Sequence, residues 1–347
     1  MKNEKVLKIG FLGCGAITQL YYSQAIIPLL QAESLCISHL IDPSDERLSL
    51  LGKSFPTAIQ STELTDFHCK SIDLAIIASP QRFHYQHALQ LLGKGVHVLC
   101  EKPLATNYAE ASNMILSAND NQRILAVGLF RRFWPITQYI KDLVMGNDLG
   151  QPLSFHWVEG GVFNWPAASP SFFQKASSSG GVFADLGAHV LDLLVYWFGS
   201  VASFEYFDDA MGGLENNASL QLHFDNGVAG HLRLSRDTPI PNLVRIEFEN
   251  CTLTFKPGIV GEVNLQFRHS QLTAKALLHP VLSYSQSFAA QLRNVCRAIR
   301  GEEALRVPAY EALPSMKLID NCYGSRRLFE QPWLTPAEWG MAQSLVH

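Results

Sequence analysis

The sequence predicts an α/β protein in two parts: an N-terminal doubly wound parallel sheet, then a C-terminal α+β domain with an open, mostly antiparallel sheet. Three observations carry this. The chain has 347 residues, beyond the size at which a single hydrophobic core keeps growing, so two domains are the default. Its first third alternates short continuous apolar runs with segments whose apolar residues recur every three or four positions, as strands covered on both faces and separated by helices do. Later runs instead alternate apolar with polar residues, the pattern of strands with one buried face.

The strand-like runs of the first part are LKIGFLG (7–13), LCISHLI (35–41), DLAIIAS (73–79), VHVLC (96–100) and ILAVGLF (124–130). Between them lie AITQLYYSQAIIPLL, SDERLSLLGKSF, RFHYQHALQLLGKG and NYAEASNMILSAND, all with helical spacing. The first domain is placed at residues 1–130 and the second at 131–347. In the second, LQLHFDNGVAGHLRLS turns about Asn226-Gly227, a strong hairpin signal, and RIEFENCTLTFKPG turns again near Asn250. QSFAAQLRNVCRAIRG and EALPSMKLIDNCYGSRRL read as closing helices.

Composition narrows the function. A formal net charge of -4 gives no electrostatic reason to expect nucleic acid or an anionic membrane surface. The most hydrophobic later stretch, VLDLLVYWFG, carries Asp192 and is too short to span a bilayer. The N-terminal apolar run enters a glycine turn, so it reads as a strand and not a signal peptide. Seven scattered cysteines without a CxxC pair suit free thiols in a reducing cytoplasm and no metal site.

FLGCGAIT follows the first strand and opens the first helix. Gly13 allows the tight turn, and Gly15, with Ala16 and Ile17 behind it, lets backbone amides approach a pyrophosphate at a helix N-terminus. The third small position of the usual fingerprint is Thr18, so looser helix–strand packing is expected. The second strand ends in LID, which puts Asp42 where a carboxylate accepts the ribose hydroxyls of adenosine. It would repel a 2′-phosphate, and no arginine follows directly (Arg47 is five residues on), so NAD is favoured over NADP.

Ligands of an open parallel sheet sit at the carboxyl ends of its strands. Two such ends hold polar groups, ASPQRFH and CEKP. The second puts Glu101 and Lys102 where a nicotinamide arrives, with Pro103 fixing the backbone behind the lysine. An ammonium there suits a substrate hydroxyl or a developing alkoxide. In GGVFADLGAHVLDLLVYWFG, Asp185, His189, Asp192 and Tyr196 fall within about 60° of one another on a helix. Two carboxylates bracketing a histidine suit an imidazole held in one orientation, and an ordinary imidazole near pKa ~6.5 suits proton transfer at neutral pH.

These residues together resemble the glucose–fructose oxidoreductase, inositol dehydrogenase and rhizopine-catabolism (Gfo/Idh/MocA) family of oxidoreductases. The motifs that carry the resemblance are GFLGCGAIT, IDPSDERL, IIASPQRFH, GVHVLCEKPLA, GLFRRFWP, LGQPLSF and GGVFADLGAHVLDLLVYWFG, in that order. The resemblance implies a Rossmann domain followed by an α/β domain whose open sheet supports a homodimer or homotetramer. It implies Lys102 as catalytic lysine, and Asp185 and His189 as an acid–base pair. Asp192 would orient the histidine or touch substrate, while Ser79, Pro80, His84 and Glu101 would contact the cofactor. The implied substrate is a sugar, a cyclitol or a sugar derivative. Arg131 and Arg132 suit either a substrate carboxylate or phosphate or internal salt bridges. Trp165 suits either stacking on a sugar or nicotinamide ring or anchoring its own loop. The expected reaction is hydride transfer between NAD and a hydroxyl; a lyase or glycosidase that retains NAD, and a non-catalytic dinucleotide sensor, are the alternatives.

Overall fold

A computed structural model describes residues 6–166, 170–259, 261–270, 272–279, 282–330 and 334–345. Its first part runs β1 (Leu7–Leu12), α1 (Ser23–Ala32), β2 (Leu35–Ile41), α2 (Asp45–Gly52), β3 (Ile59–Ser61), α3 (Asp66–Cys69), β4 (Leu74–Ile77), α4 (His84–Gly93), β5 (His97–Cys100), α5 (Tyr108–Asp120) and β6 (Leu125–Val127). The six strands pair in the order β3-β2-β1-β4-β5-β6, all parallel. The order reverses between β1 and β4, and a crevice opens there above the strand ends. Leu74, Ala75, Ile76 and Ile77 of β4 are fully buried, which explains their uninterrupted apolar run.

The second part follows as α6 (Pro135–Gly146), β7 (Pro152–Gly160), α7 (Val182–Phe198), β8 (Val201–Asp208), β9 (Asn217–Phe224), β10 (Ala229–Ser235), β11 (Leu243–Phe248), β12 (Cys251–Phe255), β13 (Glu262–Phe267), β14 (Thr273–Leu277), α8 (Tyr284–Ile299), α9 (Leu313–Gly324), β15 (Arg327–Leu328) and α10 (Pro336–Ser344). Nine of its strands form one sheet, β14-β13-β12-β11-β7-β10-β9-β8-β15, antiparallel except for β7–β10 and β8–β15. The two hairpins stand where the turn residues put them: Gly227, at φ +89°, closes β9–β10, and Asn250 lies between β11 and β12.

One face of this sheet packs on α7, whose Phe183, Val190, Leu191, Leu193, Leu194 and Trp197 are buried. The other face carries His156, His223, Arg233 and Arg245 at its surface. The C-terminal segment returns to the first part. Pro308 bridges Ala126 of β6, and Arg293, Arg297 and Arg300 on and just after α8 converge on Glu33 after α1. Among the described residues, no helix is long and apolar enough to cross a membrane and no cluster of His, Cys, Asp or Glu has metal-ligand geometry.

Candidate active site

The glycine turn works by close approach. Gly13 adopts φ +99°, and a Cβ there would lie 2.5 Å from the Ala78–Ser79 backbone. Only glycine lets the turn pass under the end of β4. At Gly15 an added Cβ meets nothing within 4 Å, so the backbone there borders open space. The first amides of a helix have no partner within it, and those of Gly15, Ala16 and Ile17 border a cavity of about 700 Å³. Thr18 is not a source of loose packing: it is fully buried and its hydroxyl donates to the Gly13 carbonyl at 2.6 Å. Residues Thr18–Tyr22 then form a π-helical turn before α1.

Asp42 lies at the end of β2, buried at the same cavity. Its carboxylate accepts the Cys14 and Ser44 amides at 2.8 and 2.9 Å. It is not a residue of α2, which Ser44 caps. Arg47, set aside on sequence spacing, comes within 3.5 Å of it and also lines the cavity. Ser79, Pro80 and His84 line the next stretch, with the His84 ring between the Ser79 and Pro103 carbonyls.

Lys102 follows β5 and projects into the cavity, where its Nζ donates to Asp185 Oδ1 at 2.5 Å. Glu101 borders the same cavity. It accepts the Tyr22 hydroxyl at 2.7 Å and the Lys102 amide at 3.1 Å, and Gln291 of α8 donates to that hydroxyl. The strand-end glutamate thus ties the lysine's backbone to two helices. The Lys102–Pro103 peptide is cis.

Helix α7 presents Asp185 and His189, one turn apart, to the cavity. Its start is held by Glu215, which accepts the Gly181 and Phe183 amides at 2.8 and 3.0 Å and is itself bound by Tyr323. A Cβ at Gly181 would fall 1.9 Å from the Glu215 carbonyl, so the chain enters α7 through a glycine gap. No sequence pattern links Glu215 to this helix.

The two carboxylates do not bracket His189. Asp185 is engaged by Lys102, and Asp192 is turned away into a buried fork with Arg132 at 2.6 and 2.9 Å. Arg132 also reaches Glu311 and covers the Tyr196 ring. Two of the four residues on the helix's polar side, Asp192 and His189, are buried. His189 Nδ1 has no hydrogen-bond partner among the described residues, and Phe130 meets the ring edge-on at 5.0 Å. Burial first, then the Lys102 and Arg131 cations, hold this imidazole well below its ordinary range. It is a neutral acceptor at pH 7, not a group poised at its midpoint.

Arg131 lines the cavity but has its fork occupied. Glu159 of β7 accepts both its Nη groups at 3.0 and 2.7 Å, and the Trp157 indole as well. Of the two uses open to Arg131 and Arg132, internal salt bridges are what the structure holds. Trp165 stacks on Tyr21 with ring centroids 5.8 Å apart and planes 7° apart. The segment carrying it is tied again further along, where Gln81 and Arg82 donate to Ser178 and Ser177 at 2.7 and 3.0 Å. Tyr21 and Ser178 had no motif to mark them, and Gln81 stands within ASPQRFH without a role assigned to it there.

A family model described as an oxidoreductase family with an NAD-binding Rossmann fold matches residues 7–129, and a GFO/IDH/MocA C-terminal domain model matches residues 137–254. Glucose-6-phosphate 3-dehydrogenase of Bacillus subtilis is 31% identical over 197 residues, spanning 56% of this chain but only about half (54%) of that protein. D-xylose 1-dehydrogenase (NADP(+)) 2 of Haloferax volcanii is 23% identical over 92% of this chain and 97% of its own. A levoglucosan dehydrogenase solved with NADH and L-sorbose superposes with a TM-score of 0.82 at 18% identity, covering 93% of this chain and 97% of that one. Together the two matched models cover most of the chain, one on each sheet. The chain belongs to the GFO/IDH/MocA family of oxidoreductases.

Proposed function

We propose that this protein moves a hydride between NAD and a hydroxyl carbon of a sugar, cyclitol or sugar derivative. The observation that carries it is the convergence of Lys102, Asp185 and His189, from chain segments far apart, on the cavity that the glycine turn also borders. Gly13, Gly15, Ala16, Ile17 and Asp42 would hold the adenosine and pyrophosphate, with Ser79, Pro80, His84 and Glu101 at the nicotinamide end. When bound, the nicotinamide supplies the hydride acceptor or donor. Lys102 holds the reacting oxygen, and its charge stabilises an alkoxide as that oxygen loses its proton. The buried neutral His189 takes the proton, since its depressed basicity leaves a nitrogen free of one at pH 7. Asp185 keeps the ammonium aimed along the cavity.

The Asp42 carboxylate, held by two amides, supports NAD over NADP, although the Haloferax relative is named for NADP(+). Seven free cysteines support a reducing, cytoplasmic setting, and membership of a family whose C-terminal domain carries an open sheet supports a homodimer or homotetramer. The test is a panel of sugars, cyclitols and uronic acids followed at the reduced-nicotinamide absorbance, with NAD and NADP in parallel. Net NADH accumulation supports dehydrogenation. Product without NADH would instead indicate a cofactor retained through each cycle, and no chemistry with any member would sink the proposal.

A further inference from the structure

Arg236 follows β10 and lines the same cavity as Lys102 and His189. It belongs to the half built by the second part of the chain, beside Gly160, Gly161, Phe163 and Ser235, and not to the dinucleotide half. Its backbone is fixed on both sides. The Arg236 amide donates to the Asn216 carbonyl at 2.9 Å, and its own carbonyl accepts the Phe163 amide at 2.7 Å. Its guanidinium is aimed by one neutral partner, Nε donating to Asn216 Oδ1 at 2.7 Å. Phe173 lies under it with the ring centroid 5.7 Å away.

Its Nη1 is buried and has no hydrogen-bond partner among the described residues. Among the described residues the other cations on this part of the wall have carboxylate partners: Lys102 has Asp185, and Arg131, whose Nε is likewise without a partner, has Glu159. The adjacent Asp237 carboxylate is engaged by Asn217, Ser235 and Thr238 instead. A guanidinium is always charged and has no acceptor capacity. One buried N–H left unmatched beside a cavity, on a side chain held from both ends, marks a place for an acceptor that arrives with the ligand.

We propose that Arg236 reads an anionic substituent of the substrate, and that this substituent is a carboxylate. The inference rests on the sugar-oxidoreductase reading of the cavity and narrows its substrate class to sugar acids. A single unbalanced guanidinium matches a monoanion, whereas a phosphate monoester near its dianionic form would bring a second charge that no described neighbour offsets. Phe173 adds a cation–π contact that helps hold the guanidinium in place. Arg131, the arginine that sequence position favours for this task, is withdrawn by Glu159.

The test uses the full chain saturated with NAD. Isothermal titration compares D-glucuronate, D-galacturonate and D-mannuronate with their parent hexoses and with glucose 6-phosphate, for the unaltered protein, R236Q and R236K. At least one uronate should bind about 10-fold or more tightly than its parent hexose, the range expected for a charged hydrogen bond. R236Q should shrink that ratio to about 2-fold or less, R236K should retain part of it, and unchanged NAD affinity certifies the fold of each variant. The proposal is overturned if no uronate outdoes its hexose, binding by none included, or if R236Q keeps the preference. A preference for glucose 6-phosphate overturns the carboxylate assignment. NADH formation in the same samples is read separately. Acid preference without turnover leaves Arg236 in its role and removes hydride transfer, while turnover of neutral hexoses without acid preference does the reverse.

Discussion

Replacing Lys102 with Met keeps the length of the side chain and removes its charge, so it isolates what the ammonium contributes. At ~3 Å and an effective dielectric of ~20, a full charge on the reacting oxygen gains about 5 kcal/mol from a facing cation. Asp185 lies 2.5 Å from the same ammonium and offsets part of that field. Mutational losses of comparable transition-state donors run about 3–4 kcal/mol, so a fall in kcat of about 100-fold or more is expected. A second consequence separates this role from simple misfolding. Burial is the main reason that His189 is a weak base, and the Lys102 cation is the next. Removing it should raise the imidazole's affinity for protons. In K102M the acidic limb of kcat/KM for alcohol oxidation should therefore move to higher pH. The assay is initial-rate NADH formation across pH 4.5–9 on the best substrate of the panel. Turnover within about fivefold of the unaltered enzyme, or an acidic limb that stays in place, would refute the assignment of Lys102 to the reacting oxygen.

Four further outcomes follow from the same geometry. In the unaltered enzyme, His189 loses activity only on protonation, and its lowered range puts the acidic limb below the ordinary ~6.5 of histidine; a limb at or above that value would exclude it as the base. H189A should lower kcat by about 100-fold or more while leaving NAD affinity unchanged in fluorescence titration. D192N removes the buried charge facing Arg132 and half of its fork, leaving Glu311 as its carboxylate partner, so urea unfolding should show a loss of about 3 kcal/mol. Turnover per folded molecule should survive, since Asp192 does not touch the cavity-facing histidine. G13A places a Cβ against backbone that cannot move aside, and NAD affinity should fall by more than tenfold; an unaltered dissociation constant would contradict the close-approach role of the turn.

Much of the fold was legible because its signals are local. Continuous apolar runs such as LAII in β4 declare a doubly covered strand wherever they occur, and Asn226-Gly227 specifies a hairpin by backbone torsion alone. The order of the parallel strands and the crevice above them follow from right-handed crossovers, which leave few alternatives. Lys102 at a strand end, and the four-residue interval between Asp185 and His189, were likewise visible because a strand terminus and a helical turn are short-range geometry.

Partnership was not legible, because an ion pair depends on which surfaces meet across the fold. Asp192 has the helical spacing to serve His189, yet Arg132, sixty residues away, captures it. Arg131 and Arg236 are chemically identical in the sequence; only packing decides that Glu159 neutralises one and Asn216 merely aims the other. Residue order alone settles which groups are available and on which strand ends and helix turns they stand. Which charges cancel and which remain open is set by packing, since Coulomb and desolvation energies depend on distances through space that no spacing along the chain encodes.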